Sequence, residues 1–224
     1  NAASEREIVF TVEEGTALQP ALSPDGRTIV FAMLGDIYSL PSTGGETRAM
    51  TRGMAMDTQP VFSPDGIWIA FLSDRSGPEN IWIMRRDGSE ARQISLHGGD
   101  PVFTSPAWSA DGQSIYVSRF WSDRNAYELW RIPLDGNGIG DVVIPTGQEG
   151  GTHHALGAVP TADGKALIYA AREGDLDLAS PVEWRITRRD LASGCEEVLV
   201  KAVGDIRLGK VQSSAFRPAL SHDG

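Results

Sequence analysis

A β-propeller of four-stranded antiparallel blades, all-β throughout, is the fold this sequence predicts, and three observations carry the prediction. A turn motif recurs five times: PALSPDG at 20–26, PVFSPDG at 60–66, PAWSADG at 106–112, AVPTADG at 158–164 and PALSHDG at 218–224. The closing glycines Gly26, Gly66, Gly112, Gly164 and Gly224 lie 40, 46, 52 and 60 residues apart, which suits blade-sized units of about 40–50 residues with growing insertions. Each interval holds short β-branched or aromatic runs, and no 11-residue window carries convincing helical periodicity. Groups of four strands repeated radially make a propeller.

The first strand of each unit runs into the SPDG tetrapeptide, where Pro presets φ, Asp bonds its own backbone and Gly accepts the tight exit. The second strand is TIVFAM (28–33), WIAFLS (68–73), SIYVSR (114–119) or ALIYAA (166–171). The third carries an aromatic: DIYSL (36–40), NIWIM (80–84), ELWRI (128–132) or EWRIT (183–187). A polar turn leads to the fourth, RAMT (48–51), RQIS (92–95), DVVI (141–144) or EVLV (197–200). Tyr38, Trp82, Trp130 and Trp184 are read as one recurring position, whose expected role is packing between neighbouring blades. Four complete blades fall near 18–51, 59–95, 104–145 and 155–201, and the start of a fifth falls at 216–224. EIVFTV (7–12) is expected to close the ring as the outermost strand of a last blade. Such an incomplete ring leaves strand edges bare, so the chain is expected to be the N-terminal piece of a longer polypeptide; the rival is a four-bladed ring with a frayed tail.

Composition narrows the function classes. Of 224 residues, 41% are hydrophobic and 22% charged, and the formal net charge is −10. That acidic balance argues against a broad nucleic-acid surface and against polybasic membrane attachment. The longest apolar runs, IVFAML (29–34) and ALIYAA (166–171), stop at six residues, whereas a membrane-spanning helix needs about 18. The single cysteine, Cys195, excludes an intramolecular disulfide and a cysteine-cluster metal site. The start, NAASERE, lacks the basic and apolar pattern of a signal peptide, and suits a chain whose export signal has been removed.

With the repeat laid out, the chain resembles the TolB-like, WD40-like propeller repeats. PVFSPDGIWIAFLSDRSGPENIWIMRRDGSEARQIS (60–95) matches that repeat over its whole length. Residues 10–66, 155–172, 184–199 and 213–224 are further similar to a subgroup in which such a propeller precedes an amidohydrolase domain. The resemblance implies a periplasmic or secreted bacterial protein. It also implies a metal-dependent hydrolase domain beyond Gly224, marked by an HxH motif on a (β/α)-barrel. This chain has no HxH, so no catalytic residue carries over and no cofactor is expected within it; any metal would belong to the downstream domain. The expected function is a non-catalytic scaffold with a downstream catalytic domain or an envelope protein as partner. Two alternatives stay open. One is a stand-alone TolB-like interaction module; the other is the gating propeller of a prolyl-oligopeptidase-like serine peptidase, which requires a GxSxG downstream.

No HExxH, GxSxG, GxxxxGK[ST] or strand-to-helix GxGxxG is present. His153-His154 are adjacent, and neighbours on a strand face opposite ways, so a loop or inter-domain contact is preferred to metal ligation. Cys195, in the turn LASGC, reads as a bystander thiol. The triplets Ser73-Asp74-Arg75 and Ser122-Asp123-Arg124 both follow a second strand, and fit either a device that fastens the loop or a partner-facing rim. In a four-stranded meander the second-to-third turns and the blade-to-blade connections emerge on one face, opposite the SPDG turns. That loop face gathers Asp74, Arg75, Asp123, Arg124, His153 and His154 as the partner-facing candidates, with Glu79, Asp100, Arg172, Asp175 and Asp177 beside them.

Overall fold

Short strands that alternate inward and outward side chains bury both faces only by stacking sheet on sheet, and the chain builds four such sheets, packed one on the next. The computed structural model describes residues 18–98, 102–123, 125–135, 138–145, 153–173, 184–201 and 218–220. The first sheet holds β1 (Ala21–Leu22), β2 (Thr28–Met33), β3 (Asp36–Pro41) and β4 (Arg48–Ala49). The second holds β5 (Asp57–Phe62), β6 (Trp68–Ser73), β7 (Asn80–Arg85) and β8 (Arg92–Gln93). The third holds β9 (Val102–Trp108), β10 (Ser114–Trp121), β11 (Ala126–Pro133) and β12 (Asp141–Ile144). The fourth holds β13 (His153–Pro160), β14 (Ala166–Glu173), β15 (Arg185–Asp190) and β16 (Glu196–Lys201). Every sheet is an antiparallel meander in chain order, as expected of blades, and no helix occurs among the described residues. Residues 7–12 and most of 216–224 lie outside the described residues.

The SPDG turn is held by one hydrogen-bond pattern, repeated. Ser63 Oγ donates to Asp65 Oδ1 at 2.5 Å, the amide of Trp68 donates to Ser63 Oγ at 2.9 Å, and the amide of Ile67 donates to Asp65 Oδ1 at 2.9 Å. Ser23 with Asp25, Ser109 with Asp111 and Thr161 with Asp163 repeat it. These donors hold the Asp65, Asp111 and Asp163 carboxyls below the usual carboxylate range. Gly66 ends its turn at φ +71°, where a side chain is strained, beside Pro24 of the preceding blade. Arg86, at the β7–β8 turn, crosses to Asp25 Oδ2 at 2.9 Å and so ties the same face of the first two blades.

Three apolar seams join the sheets. Val30 and Ile37 pack on Ile69, Phe71 and Met84; Leu72, Ile81 and Ile83 pack on Phe103, Ile115 and Val117; Tyr116 and Leu129 pack on Leu167 and Tyr169. All are nearly or fully buried. Cross-strand register puts Tyr38 opposite Phe31, Trp82 opposite Phe71 and Trp130 opposite Val117. In the fourth sheet Thr187 stands opposite Tyr169, and Trp184 precedes β15. The recurring aromatic is therefore shared by three blades; aligning EWRIT on its tryptophan sets the fourth three residues out of register.

The fourth strands of the first two sheets are only two residues long because a hydroxyl takes over. Thr51 Oγ1 accepts the Ile37 amide and Ser95 Oγ the Ile81 amide, each at 2.8 Å. The innermost strands carry a second repeated device. Gln19, Gln59 and Ser105 adopt φ of +44°, +54° and +56°, and Gly157 +66°, each four residues before the Ser or Thr of its turn. The ladder is bulged there in the last three sheets. Pro60 and Pro106 follow directly, which a bulge tolerates because it removes a ladder donor.

The kink of one blade is tied to that of the next, since Gln59 Oε1 accepts the Ser105 amide at 2.6 Å. Replacing Gln59 by Ala leaves that donor without its acceptor and is expected to cost about 1–3 kcal/mol. Urea unfolding of the two proteins measures it, and an unchanged midpoint would show that the link contributes nothing.

Candidate docking site on the loop face

The β2–β3 connection is a two-residue turn, Leu34-Gly35, with φ of +56° and +90°. Such mirror-image turns favour Asn, Asp or Gly at the first position, yet a leucine occupies it and is 71% exposed. Met54 and Met56, in the connection from β4 to β5, are 102% and 56% exposed. The two segments touch: a Cβ built on Gly35 would lie 3.4 Å from the Ala55 carbonyl oxygen and 3.5 Å from Met56 Sδ. A groove between the first two blades is lined by Arg52, Met54, Ala55, Asp74 and Arg75.

Most charges around this groove are engaged in structure. Arg75 Nη2 pairs at 2.6 Å with Asp57 Oδ2, and Asp57 is 1% exposed at the start of β5. Arg75 Nε donates to Ser73 Oγ at 3.0 Å, and the guanidinium lies 5.1 Å from the Phe71 ring centre and 5.0 Å from that of Trp82. Asp74 Oδ1 accepts the Met56 amide at 2.7 Å, and the Asp57 amide donates to the Gly35 carbonyl at 2.8 Å. Ser73-Asp74-Arg75 is thus a clasp between loop and sheet, and it lines the groove as well. Burial pushes the Asp36 carboxyl up, Asp57 adds to the rise, and Arg52 and Arg75 oppose it. Arg52 itself is exposed and makes no ion pair within 4 Å among the described residues.

The second triplet does not repeat the first. Register sets Arg119 of β10 where β6 has Ser73, so Ser122-Asp123 lies three residues farther out, in the turn of a longer hairpin. Asp123 is exposed, and Arg124 lies outside the described residues. The counterpart of Arg75 is Arg119, which the triplet pattern missed: its guanidinium lies 3.9 Å from the Trp121 ring centre and 4.9 Å from that of Trp130. Glu128 Oε2 accepts both indole N–H groups, at 2.7 Å from Trp121 and 3.0 Å from Trp130. An arginine flanking the repeated tryptophan, rather than the SDR spelling, is the signal that finds it.

The histidine pair is also placed differently. His153 and His154 open strand β13 opposite Glu173 and Arg172 instead of lying in a loop. His154 is fully buried and accepts the Tyr127 amide at Nδ1, at 3.4 Å, so it presents nothing to a partner. Arg172 is buried in β14. Glu79 accepts the Phe103 amide at 3.0 Å, and burial pushes its carboxyl up. Asp100, Asp175 and Asp177 lie outside the described residues. Among the described residues no three His, Cys, Asp or Glu are grouped to hold a metal, and no helix is long and apolar enough to cross a membrane. Cys195 is exposed in the β15–β16 turn.

Three comparisons bear on this chain. The family described as the Tricorn protease N-terminal beta propeller domain matches residues 16–185. An uncharacterized protein of Agrobacterium fabrum (strain C58) is 35% identical over 100 residues, 43% of this chain and 34% of that protein. The uncharacterized peptidase YuxL of Bacillus subtilis (strain 168) is 27% identical over 216 residues, 77% of this chain and 32% of the peptidase. The chain therefore spans about a third of the length of these curated relatives. TolB from Acinetobacter baumannii superposes with a TM-score of 0.64 at 21% identity, over 85% of this chain and 45% of that one. That likeness shows a shared fold.

Two outcomes follow from the clasp and the neighbouring seam. Arg75→Ala leaves the Asp57 charge buried without its partner and is expected to cost about 3 kcal/mol in urea unfolding, the low end of the range for a broken buried pair because Arg75 is partly exposed; Arg75→Lys should lose less. His97 is wedged 5.3 Å from Phe103 and 5.7 Å from Trp130, ring centre to ring centre, and burial and then Arg119 hold its imidazole below the usual 6.5. Its folded state resists protonation, so stability is complete above pH 6.5 and declines as pH falls below it. His97→Gln should flatten that decline in urea midpoints taken from pH 7 to 5, and an unaltered slope would assign it to other groups.

Proposed function

The chain belongs to the family of the Tricorn protease N-terminal beta propeller domain, and from that premise we propose that it is a non-catalytic scaffold whose loop face docks a second domain or a partner protein. One observation carries the reading: Leu34 is exposed in the β2–β3 turn, and Met54 and Met56 are exposed in the adjoining β4–β5 connection, which packs on Gly35 on the loop face. Clustered exposed apolar side chains mark interaction surfaces, whereas scattered ones need no explanation. The opposite face is closed by four copies of one hydrogen-bonded turn. In this reading the docked domain is a hydrolase of amidohydrolase type, with its own metal, in an exported envelope protein. Support for that parent is the resemblance of 10–66 and the later blades to propellers that precede such a domain.

A second reading is favoured by the match to the Bacillus peptidase, which runs through 77% of this chain. There the same loop face would gate a serine peptidase domain. Intact mass of the native product, followed by its sequence beyond Gly224, separates the readings: HxH supports the amidohydrolase parent and GxSxG the peptidase. A product near 24.1 kDa overturns both in favour of a stand-alone module. Hydrogen exchange tests the docking face itself. Amides of 34–36 and 52–56 should be slower in the native polypeptide than in the 224-residue chain, with 24–26 and 64–66 unchanged; protection confined to the SPDG turns would refute the assignment of the face.

A further inference from the structure

We infer that Met54 and Met56 form an oxidation site that regulates the loop face: a hydroperoxide converts both to sulfoxides, and the sulfoxides release what is docked there. The inference rests on the docking reading above and adds its regulation. The chain has five methionines, Met33, Met50, Met54, Met56 and Met84. Met84 is fully buried in the first seam, and Met33 and Met50 are half-buried, whereas Met54 is fully exposed and Met56 is 56% exposed. The two open thioethers therefore lie in one connection, and they supply two of the three apolar side chains that the face offers for docking. Leucine there would be as apolar and would not oxidise; Leu34, in the adjoining turn, is such a residue.

The step is a two-electron oxygen transfer. The hydroperoxide gives its terminal oxygen to the thioether sulfur: the O–O bond breaks as the S–O bond forms, the proton moves to the departing oxygen, and an alcohol or water leaves. The product carries a strong dipole where an apolar group stood, and taking it out of water without a donor disfavours contact. Met54 lines the groove, open to solvent, and Met56 Sδ lies 3.5 Å from where a Cβ on Gly35 would stand, beside a residue with no side chain to cover it. The backbone there is fastened independently of the two sulfurs. The Met56 amide donates to Asp74 Oδ1 at 2.7 Å and the Asp57 amide to the Gly35 carbonyl at 2.8 Å, so the connection keeps its place when the thioethers change. Oxygen arrives in the undocked state, and the sulfoxides then hold the face undocked.

The first measurement is peptide mapping of the 224-residue chain during treatment with hydrogen peroxide. Met54 and Met56 should each gain one oxygen about tenfold faster than Met84; equal rates at all three overturn the inference. The second is hydrogen exchange on the native polypeptide, before peroxide and after both sulfoxides have formed. The slow exchange expected of the 34–36 and 52–56 amides should be lost on oxidation, with 24–26, 64–66 and the urea midpoint unchanged. Methionine sulfoxide reductases should restore it, and a variant carrying Met54→Leu and Met56→Leu should keep it through the peroxide treatment. Protection retained after both sulfoxides form, or lost in the leucine variant as well, overturns this inference and leaves the docking reading standing. No protection at 34–36 and 52–56 before any peroxide is added sinks the docking reading, and this inference with it.

Discussion

Everything in this molecule depends on a hydroxyl shared between a carboxylate and a backbone amide. In each blade the Ser or Thr oxygen donates to the aspartate two residues on and accepts the amide that opens the second strand. That pairing sets the register between the first two strands of the blade. Side chains alternate along a strand, so a slip of one residue would turn every inward group outward. The position of Phe71 and Trp82 against the first blade, and of Val117 and Trp130 against the second, follows from it. The carboxyl groups that make the turn are therefore structural, although they are exposed and acidic.

The repeated turn and the second strands were legible because both depend on local chemistry. TIVFAM and WIAFLS fall on β2 and β6 residue for residue, since β-branched and aromatic runs bounded by turns have few other options. The tryptophan of EWRIT marks the third strand of the fourth blade but not its register, since hydrogen bonding sets Thr187 opposite Tyr169. The blade-to-blade insertion hides where β13 begins, so sequence position alone puts the histidine pair in a loop. The left-handed residues of the inner strands leave little mark on the sequence. Their trace is the x-Pro step at Gln19, Gln59 and Ser105, a spelling that many extended segments share.

The candidate site was half legible. Asp74 and Arg75 are legible by position and do line the groove, but Arg75 is paired with the buried Asp57 of its own blade and Asp74 accepts the Met56 amide. What faces outward is Arg52 with three apolar side chains, none of which belongs to the repeat. A repeat shows which residues build the scaffold; the departures from it, such as a leucine in a turn that suits Asn or Gly, show where the scaffold is used. Family membership sets the architecture, and the chemistry of docking comes from those departures.

The clasp at Arg75 has a further consequence. The loop that borders the groove is also a clasp within the second blade, because one guanidinium spans Ser73 of β6, Asp57 of β5 and the ring of Trp82 of β7. A ligand that tightens the 74–75 loop stabilises the packing of the second blade, and by reciprocity a strained blade weakens the ligand. Variation is constrained there in a way it is not elsewhere on the loop face. Within the groove, Met54 is fully exposed and free to vary, whereas Asp74 and Arg75 are held by the Met56 amide and by Asp57.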